Sequence, residues 1–145
     1  MRHILIIGAG RSASSLIEYL LNKAEQENLH ITIGDLSEEL AARKTKGHPR
    51  ARAIAFDIFQ EAQRHEEIAK ADIVISMLPA NLHYEVAKDC IRYKKHMVTA
   101  SYISPAMESL DEEVKKNNLV FMNEIGLDPG IDHMSAMKII DEIRA

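Results

Sequence analysis

The stretch that decides the fold spans residues 3–13 and reads HILIIGAGRSA. Its first five residues form a nearly continuous apolar run, which fits a strand buried on both faces of a parallel sheet. The rest is a G-x-G-x-x-A motif at Gly8, Gly10 and Ala13, and an apolar stripe at helical spacing follows it. A strand, a glycine turn and a helix in this order are typical of a Rossmann unit that binds a dinucleotide.

Each position of the motif has a physical role in that prediction. Gly8 permits the tight turn out of the strand, and Gly10 lets a pyrophosphate approach the backbone, while Ala13 keeps the helix close to the strand. The N-terminus of the helix offers N–H groups and a partial positive charge to the phosphates. We therefore expect residues 8–13 to bind the pyrophosphate of NAD or NADP.

Asp35 lies at the end of the second predicted strand, about 20 residues beyond the glycines, where Rossmann domains place an acid. A carboxylate there accepts hydrogen bonds from ribose hydroxyls and repels a 2′-phosphate, so the sequence favours NAD over NADP as the cofactor. Arg43 and Lys44, on the next predicted helix, could instead attract a phosphate or could simply form a solvated helix face. Asp57, at the end of the third strand, could meet the adenine ring or be a plain loop residue.

Along the whole chain, a β-rich run is followed by an amphipathic helix, and this pattern repeats about five times. This alternation predicts parallel strands joined by crossover helices. The predicted strands cover residues 3–7, 31–33, 53–56, 73–78, 96–100 and 119–122, and helices are predicted over 12–24, 38–46, 60–70, 82–93, from 105 onward, and over 132–145. The expected fold class is α/β, a Rossmann-type doubly wound parallel sheet of about six strands with helices on both faces.

The composition narrows the function classes. A chain of 145 residues suits one domain, and a net charge of −4 gives no basic footprint for nucleic acid. No apolar run approaches the roughly 20 residues that span a bilayer, and the N-terminus lacks a signal-peptide layout, so a cytoplasmic location is expected. The single cysteine, Cys90, excludes an internal disulfide framework and is expected in the core.

The last predicted helix has an apolar face formed by Met134, Met137, Ile140 and Ile143. We expect residues 1–131 to form the dinucleotide-binding domain, and residues 132–145 to begin a helix that leads to a substrate-binding domain outside this chain. The apolar face could also drive association into a homodimer.

Three further segments lie at the ends of predicted strands and carry a more specific signal. They are Ser76–Pro79 (SMLP), Thr99–Tyr102 (TASY) and Glu124–His133 (EIGLDPGIDH). Together with the glycine motif, they resemble the saccharopine reductase group, which contains the glutamate-forming saccharopine dehydrogenases, with lysine 6-dehydrogenase-like and carboxynorspermidine-type relatives. The resemblance covers the whole chain, and the GLDPGIDH string is its most specific part.

The resemblance implies cofactor and substrate contacts at several strand ends. The pyrophosphate-binding turn is matched by Ala9, Gly10, Arg11 and Ser12, and the ribose contact is matched by Asp35. The adenine side is matched by Asp57 and Ile58, and a position along the cofactor is matched by Leu78. A further cofactor contact is matched by Ala100 and Ser101, and the approach to the nicotinamide is matched by Leu127, Asp128 and Pro129. Ser101 and Tyr102 match the near edge of the substrate site.

The implied reaction is hydride transfer at the secondary amine of saccharopine, which gives an imine that is hydrolysed to glutamate and an aldehyde in lysine metabolism. The substrate could instead be that of a lysine 6-dehydrogenase or a carboxynorspermidine-type dehydrogenase. A different class of function is a non-catalytic Rossmann module that senses NAD(H). Because family members carry a second, substrate-binding domain, we expect this chain alone to bind cofactor with little catalysis.

Proton transfer near neutral pH needs a group of suitable pKa. Asp128 is the preferred candidate, because burial beside a closed apolar site would raise its pKa, although an aspartate before proline is also ordinary turn chemistry. His133 could act instead or could, with Asp132, fix a helix end, and His83 could point toward the cofactor or lie on the surface. A metal site formed by Glu124, Asp128, Asp132 and His133 is rejected, because the spacing of these residues matches no known pattern of metal ligands.

Overall fold

The computed structural model describes all residues, 1–145. Six strands form one sheet in the order β3-β2-β1-β4-β5-β6, and every pair of neighbours is parallel. The strands are β1 (Arg2–Ile7), β2 (Leu29–Asp35), β3 (Ala51–Ala55), β4 (Ile73–Ser76), β5 (His96–Thr99) and β6 (Phe121–Met122). The helices are α1 (Ser14–Lys23), α2 (Glu38–Thr45), α3 (Glu61–Lys70), α4 (His83–Arg92), α5 (Pro105–Glu108), α6 (Asp111–Lys116) and α7 (Ile131–Arg144).

Strand β1 lies at the centre of the sheet, where the direction of winding reverses. It pairs with β2 on one side and with β4 on the other, so that Ile7 lies opposite both Gly34 and Ser76. In open α/β sheets, ligands bind outside the carboxyl ends of the strands at such a reversal. The topology therefore places the glycine turn, which follows β1, at the expected position for a ligand.

Two apolar cores lie on opposite faces of the sheet, because successive side chains of a strand point to opposite faces. Ile4 and Ile6 of β1 pack in one core with Ile17 and Leu21 of α1. The other core contains Leu5, Ile7, Ile68, Val74, Val86, Cys90, Met97, Met107 and Val114. Helices thus cover both faces, and the predicted doubly wound α/β class is confirmed.

Local signals decide where several helices begin. The Ser37 hydroxyl accepts a hydrogen bond from the Leu40 amide at 3.2 Å, and the Ser104 hydroxyl accepts one from the Met107 amide at the same distance. The helix predicted over 12–24 starts with a 3₁₀ turn at Arg11–Ala13, and the one predicted from residue 105 is divided into α5 and α6. Strand bounds differ from the prediction by a few residues, because pairing with the neighbouring strand rather than side-chain periodicity decides the last residue.

Helix α7 has no buried residue, and its apolar side chains are exposed, including Met134, Met137, Ile140 and Ile143. Its first turn is attached to the preceding loop, where the Asp132 amide donates to the Leu127 carbonyl at 3.0 Å. The boundary at residue 131 and the domain beyond it stay predictions. None of the helices combines the length and the apolar character that crossing a membrane requires.

Candidate dinucleotide-binding site

The glycine turn has the geometry that its sequence predicts. Gly8 has φ +105°, and a Cβ placed on it would lie 2.9 Å from the carbonyl oxygen of Met77, so a side chain there would be strained and would collide with the end of β4. A Cβ placed on Gly10 would meet no protein atom within 4 Å. Ala13 is completely buried against the core under α1. The turn is therefore closed toward the protein and open on the side from which a phosphate would approach.

Asp35 joins the end of β2 to this turn. Its Oδ2 atom accepts a hydrogen bond from the Ala9 amide at 2.8 Å, and its Oδ1 atom accepts one from the Ser37 amide at 3.0 Å. Each carboxylate oxygen has a second lone pair, so a ribose hydroxyl could still donate to it. The side chain thus positions the glycine turn and the start of α2, a role that the sequence prediction did not include, and its ribose contact stays a prediction.

A cleft of about 380 Å³ opens beside the glycine turn, between the carboxyl ends of β1, β2, β3 and β4. Small-molecule sites are typically clefts of about 300–1,000 Å³ with mostly apolar walls. Its walls are formed by Ile7, Gly8, Gly34, Asp35, Leu36, Phe56, Asp57, Ile58, Phe59, Leu78, Pro79 and Leu82. The cleft therefore brings together five residues that the sequence assigned to cofactor binding: Gly8, Asp35, Asp57, Ile58 and Leu78.

Hydrogen bonds hold the wall of the cleft that follows β3. The Asp57 carboxylate accepts from the Phe59 amide at 2.9 Å, which turns the chain at the edge of the cleft. The Ile58 carbonyl accepts from the buried Arg64 guanidinium, which also pairs with Asp89. This wall is thus fastened to α3 and α4 before any ligand binds.

The two basic residues considered as phosphate ligands have partners elsewhere. Arg43 forms an ion pair with Glu39 at 3.2 Å on the exposed side of α2, and Lys44 donates to the Ser14 hydroxyl at 2.5 Å. Neither residue contributes to the walls of the cleft.

A second group of polar side chains lies at the ends of β4 and β5. The Nδ1 atom of His83 is 2.8 Å from Ser76 Oγ, and its Nε2 atom is 2.8 Å from Ser101 Oγ and 3.1 Å from Thr99 Oγ1. His83 is only 2% exposed, so the surface position considered for it is wrong. Burial lowers the pKa of His83 below its usual range, because desolvation disfavours the charged imidazole.

Tyr102 and Asp128 are in direct contact farther along the same edge. The Tyr102 hydroxyl donates to Asp128 Oδ1 at 2.6 Å, and this hydrogen bond to the carboxylate raises the pKa of Tyr102. Leu127 and Asp128 are exposed and Pro129 is buried. The expected burial of Asp128 is therefore wrong for this chain, because no other segment covers the loop.

The start of α7 is organised around Asp132. Its Oδ1 atom accepts from the Gly130 amide at 2.9 Å and from the His133 amide at 2.8 Å, and it lies 2.9 Å from His133 Nδ1. This arrangement fits the structural alternative considered for His133. Nowhere in the chain do three His, Cys, Asp or Glu side chains come close enough together to hold a metal ion.

Sequence reasoning missed three contacts of this edge: Asp35 with Ala9, His83 with its three hydroxyl partners, and Tyr102 with Asp128. One signal was available for the second, because Ser76 and Thr99 fall within the last three residues of two predicted strands; they end the observed β4 and β5 and lie opposite each other in the sheet. The other two contacts join residues 26 positions apart across loops, and no spacing rule indicates them.

A glycine turn at the reversal point of a 3-2-1-4-5-6 parallel sheet, with an acid at the end of the neighbouring strand, defines a dinucleotide-binding Rossmann domain. Residues 4–122 match the family described as "Saccharopine dehydrogenase NADP binding domain". The chain belongs to this family, and the resemblance noted from its sequence is confirmed.

Several known proteins are similar to nearly the whole chain. The chain is 38% identical over 144 residues to "Saccharopine dehydrogenase [NADP(+), L-glutamate-forming]" of Pyricularia oryzae and, over the same length, to that of Saccharomyces cerevisiae, and it spans 31% of each. It is 38% identical over 143 residues to "Alpha-aminoadipic semialdehyde synthase, mitochondrial" of Mus musculus and spans 15% of it. The chain thus spans about a third of the length of the fungal relatives.

A solved structure of similar fold is the apo, L-Glu-forming saccharopine dehydrogenase from Saccharomyces cerevisiae. It has a TM-score of 0.88 and 36% identity to this chain, and the alignment covers 99% of this chain and 32% of that one. A 3-ketoreductase from Actinomadura kijaniata, with a TM-score of 0.70 and 18% identity, shares the fold alone. The assignment of individual site residues stays a prediction.

Proposed function

We propose that this chain is the cofactor-binding domain of an oxidoreductase of the glutamate-forming saccharopine dehydrogenase type. The observation that carries the proposal is the 38% identity, over alignments of 144 residues, to fungal enzymes of that name. The open glycine turn and the adjoining cleft support it, because they provide a pre-formed place for a dinucleotide.

The cofactor in this proposal is NADP(H). The sequence-based leaning toward NAD depended on Asp35 repelling a 2′-phosphate, and it stays untested. NADP, its alternative, fits the names of the matched family and of the fungal relatives.

Each part of the site has a task in this proposal. The bound dinucleotide supplies the hydride chemistry. The turn around Gly10 and the N-terminus of α1 hold the pyrophosphate, and the apolar cleft takes the adenosine half. Ser101 and Tyr102 are assigned to the side of the nicotinamide and the substrate. Asp128, whose carboxylate accepts a hydrogen bond from the Tyr102 hydroxyl, is the proposed proton-handling group.

Oxidation of the secondary amine of saccharopine moves a hydride from carbon to NADP⁺ and a proton from nitrogen to a base. Addition of water to the resulting imine then breaks the carbon–nitrogen bond and gives glutamate and an aldehyde. A small-molecule amino-acid substrate is therefore proposed, bound with help from a part of the protein outside this chain.

Location and assembly are narrower proposals. A cytoplasmic location stays a proposal, and the mouse relative is named as mitochondrial. Homodimer formation would use the exposed apolar side chains of α7, among them Met137 and Ile143.

The first experiment is a titration of the 145-residue chain with NADPH and NADH by calorimetry. We expect saturable binding of NADPH, and a loss of binding in Gly10→Leu, because the new side chain would occupy the space of the phosphates. Ala69→Leu is the matched control, since Ala69 is exposed near the end of α3, at the opposite edge of the sheet. Absence of binding to either cofactor would overturn the proposal for this domain.

The second experiment tests the activity with the complete enzyme that contains this domain. NADP⁺-dependent formation of NADPH should occur with saccharopine as substrate and should fall at least tenfold in Asp128→Asn if Asp128 handles the proton. Turnover of lysine or of a carboxynorspermidine-type substrate without turnover of saccharopine would replace the proposed substrate. Cofactor binding with no turnover of any of these would favour the sensing module.

A further inference from the structure

Ser76, His83, Thr99 and Ser101 form one hydrogen-bonded group, of which only Ser101 has a role in the proposed chemistry. Ser76 and Thr99 are buried at the carboxyl ends of β4 and β5, and His83 is the first residue of α4. The imidazole extends from Ser76 on one strand to Ser101 beyond the next, with two contacts of 2.8 Å. A helix start and two strand ends are therefore joined through one buried ring.

The three side chains within hydrogen-bonding distance of the ring are all hydroxyl groups. No carboxylate forms an ion pair with His83, and the ring is buried, so the environment favours the neutral imidazole. A neutral imidazole has one donor nitrogen and one acceptor nitrogen. The ring therefore determines which hydroxyl groups donate a hydrogen bond to it and which accept one from it. Because it is buried, it is poorly placed to exchange protons with a ligand.

The distances favour one of the two tautomers. Two oxygens, Ser101 Oγ at 2.8 Å and Thr99 Oγ1 at 3.1 Å, lie close to Nε2. An N–H group at Nε2 can be shared between two acceptor oxygens, whereas the single lone pair of an unprotonated Nε2 serves one donor. Nδ1 has a single partner, Ser76 Oγ, from which it can accept.

This tautomer has a consequence for Ser101. When its oxygen accepts from Nε2–H of His83, its own hydroxyl hydrogen is free to donate elsewhere. Ser101 is half-buried, and its neighbour Tyr102 forms the exposed pair with Asp128, so the hydroxyl lies between the buried group and the open edge of the site. The free hydrogen is thus available to a ligand oxygen at that edge.

We infer that His83 is a positioning residue, which holds the Ser101 hydroxyl in place through Nε2–H so that it donates a hydrogen bond to an oxygen of the nicotinamide half of the cofactor. This inference rests on the proposed function, because Ser101 is taken there as a cofactor contact. His83 itself touches neither the cofactor nor the substrate.

Two substitutions of His83 separate this role from general packing. The amide nitrogen of Gln can take the place of Nε2, whereas Asn reaches only the position of Nδ1. In titrations of the 145-residue chain with NADPH, we expect Ser101→Ala and His83→Asn each to weaken binding about fivefold, the size of one hydrogen bond. His83→Gln should stay within about twofold of the unsubstituted chain, and the double variant Ser101→Ala/His83→Asn should bind no more weakly than Ser101→Ala.

A ligand that lacks the nicotinamide half provides the internal control. Adenosine 2′,5′-bisphosphate should bind all four variants as it binds the unsubstituted chain, because the glycine turn and the cleft are unchanged. Failure of the unsubstituted chain to bind NADPH would overturn the proposed function. Normal binding of NADPH together with no effect of His83→Asn or of Ser101→Ala would overturn this inference alone.

The tautomer can be read independently of any ligand. Long-range ¹H–¹⁵N NMR spectra distinguish a protonated Nε2 from a protonated Nδ1. We expect His83 to be neutral with the proton on Nε2 near neutral pH. A proton on Nδ1 would overturn the inference, because the Ser101 hydroxyl would then donate to the ring and would have no hydrogen to offer.

Discussion

The carboxylate of Asp35 accepts a hydrogen bond from the amide of Ala9 at 2.8 Å, and so the end of β2 holds the glycine turn that follows β1. The second carboxylate oxygen accepts from Ser37, the N-cap of α2. One side chain thus fixes the relative positions of the turn and of the helix that borders the cleft.

Removal of this carboxylate should affect both stability and binding. We expect Asp35→Ala to lower the free energy of unfolding by about 1–3 kcal/mol, because two backbone amides lose their acceptor. We also expect it to weaken NADPH binding, because the loss of order in the glycine turn outweighs the removal of a charge that would repel the 2′-phosphate. Urea denaturation and calorimetry measure the two effects. Asp72→Ala is the matched control: its carboxylate accepts from the His3 amide at 2.7 Å at the opposite end of β1, so it should lower stability without changing affinity. Equal affinity of Asp35→Ala and the unsubstituted chain would contradict the role of Asp35 at the site.

Alanine substitutions at the two glycines of the turn should affect different properties: stability at Gly8 and NADPH affinity at Gly10. Gly8→Ala should destabilise the fold by about 2 kcal/mol or more, because the residue has a positive φ and its Cβ would collide with the Met77 carbonyl. Gly10→Ala should change stability by less than about 1 kcal/mol but should reduce the affinity for NADPH, since its Cβ enters the open space beside the turn. Thermal denaturation with parallel binding titrations tests both, and an equal loss of stability in the two variants would be evidence against this geometry.

The stability of the chain should depend on the protonation of His83. Because burial lowers its pKa in the folded protein, the unfolded chain binds a proton more readily than the folded one. The contribution is therefore complete above the unfolded pKa of about 6.5 and is lost as the pH falls below that value toward the lower folded pKa. We expect the free energy of unfolding to decline between about pH 7 and pH 5.

A comparison of urea denaturation curves isolates this effect. His83→Gln cannot be protonated, so its stability should decline less over the same pH interval than that of the unsubstituted chain. His30 also has a pKa lowered by burial and contributes to the decline in both proteins. Parallel pH profiles for the two proteins would exclude His83 as a source.

The Tyr102 hydroxyl should report its contact with Asp128. The hydrogen bond from Tyr102 to the carboxylate raises the pKa of the phenol, so Asp128→Asn should bring that pKa back toward its usual value near 10. An NMR titration of the Tyr102 ring measures this change. Asp111→Asn removes an exposed carboxylate from α6 and should leave the titration as it is. An unchanged Tyr102 titration in Asp128→Asn would show that the contact is absent in solution.

The elements of this fold were predictable because their signals are local. The apolar run of β1, the glycine turn, and the caps Ser37 and Ser104 each act within a few residues of their own position. The alternation of strands and helices then predicts a parallel sheet, since crossover connections impose it. The doubly wound class followed from these features without knowledge of any tertiary contact.

The details of the site depend on contacts between distant segments. His83 has the sequence position of an exposed helix start, but its ring is buried and contacts Ser76 and Thr99 at the ends of β4 and β5. The opposite holds for Asp128, which its sequence context suggested to be buried and which lies exposed at the tip of a loop. In both cases, burial depends on whether segments distant in the sequence cover the side chain, and local spacing carries no information about that.

The central position of β1 has a kinetic consequence for the site. Its residues Ile4–Ile7 are paired on both sides and contribute to both cores, so opening this part of the strand requires disruption of the whole domain. Its amide protons should consequently exchange with solvent only through global unfolding, which is the slowest route available. The turn at Gly8 begins where this strand ends, so the ligand meets a backbone that is already ordered, and little of the binding energy is lost to conformational entropy.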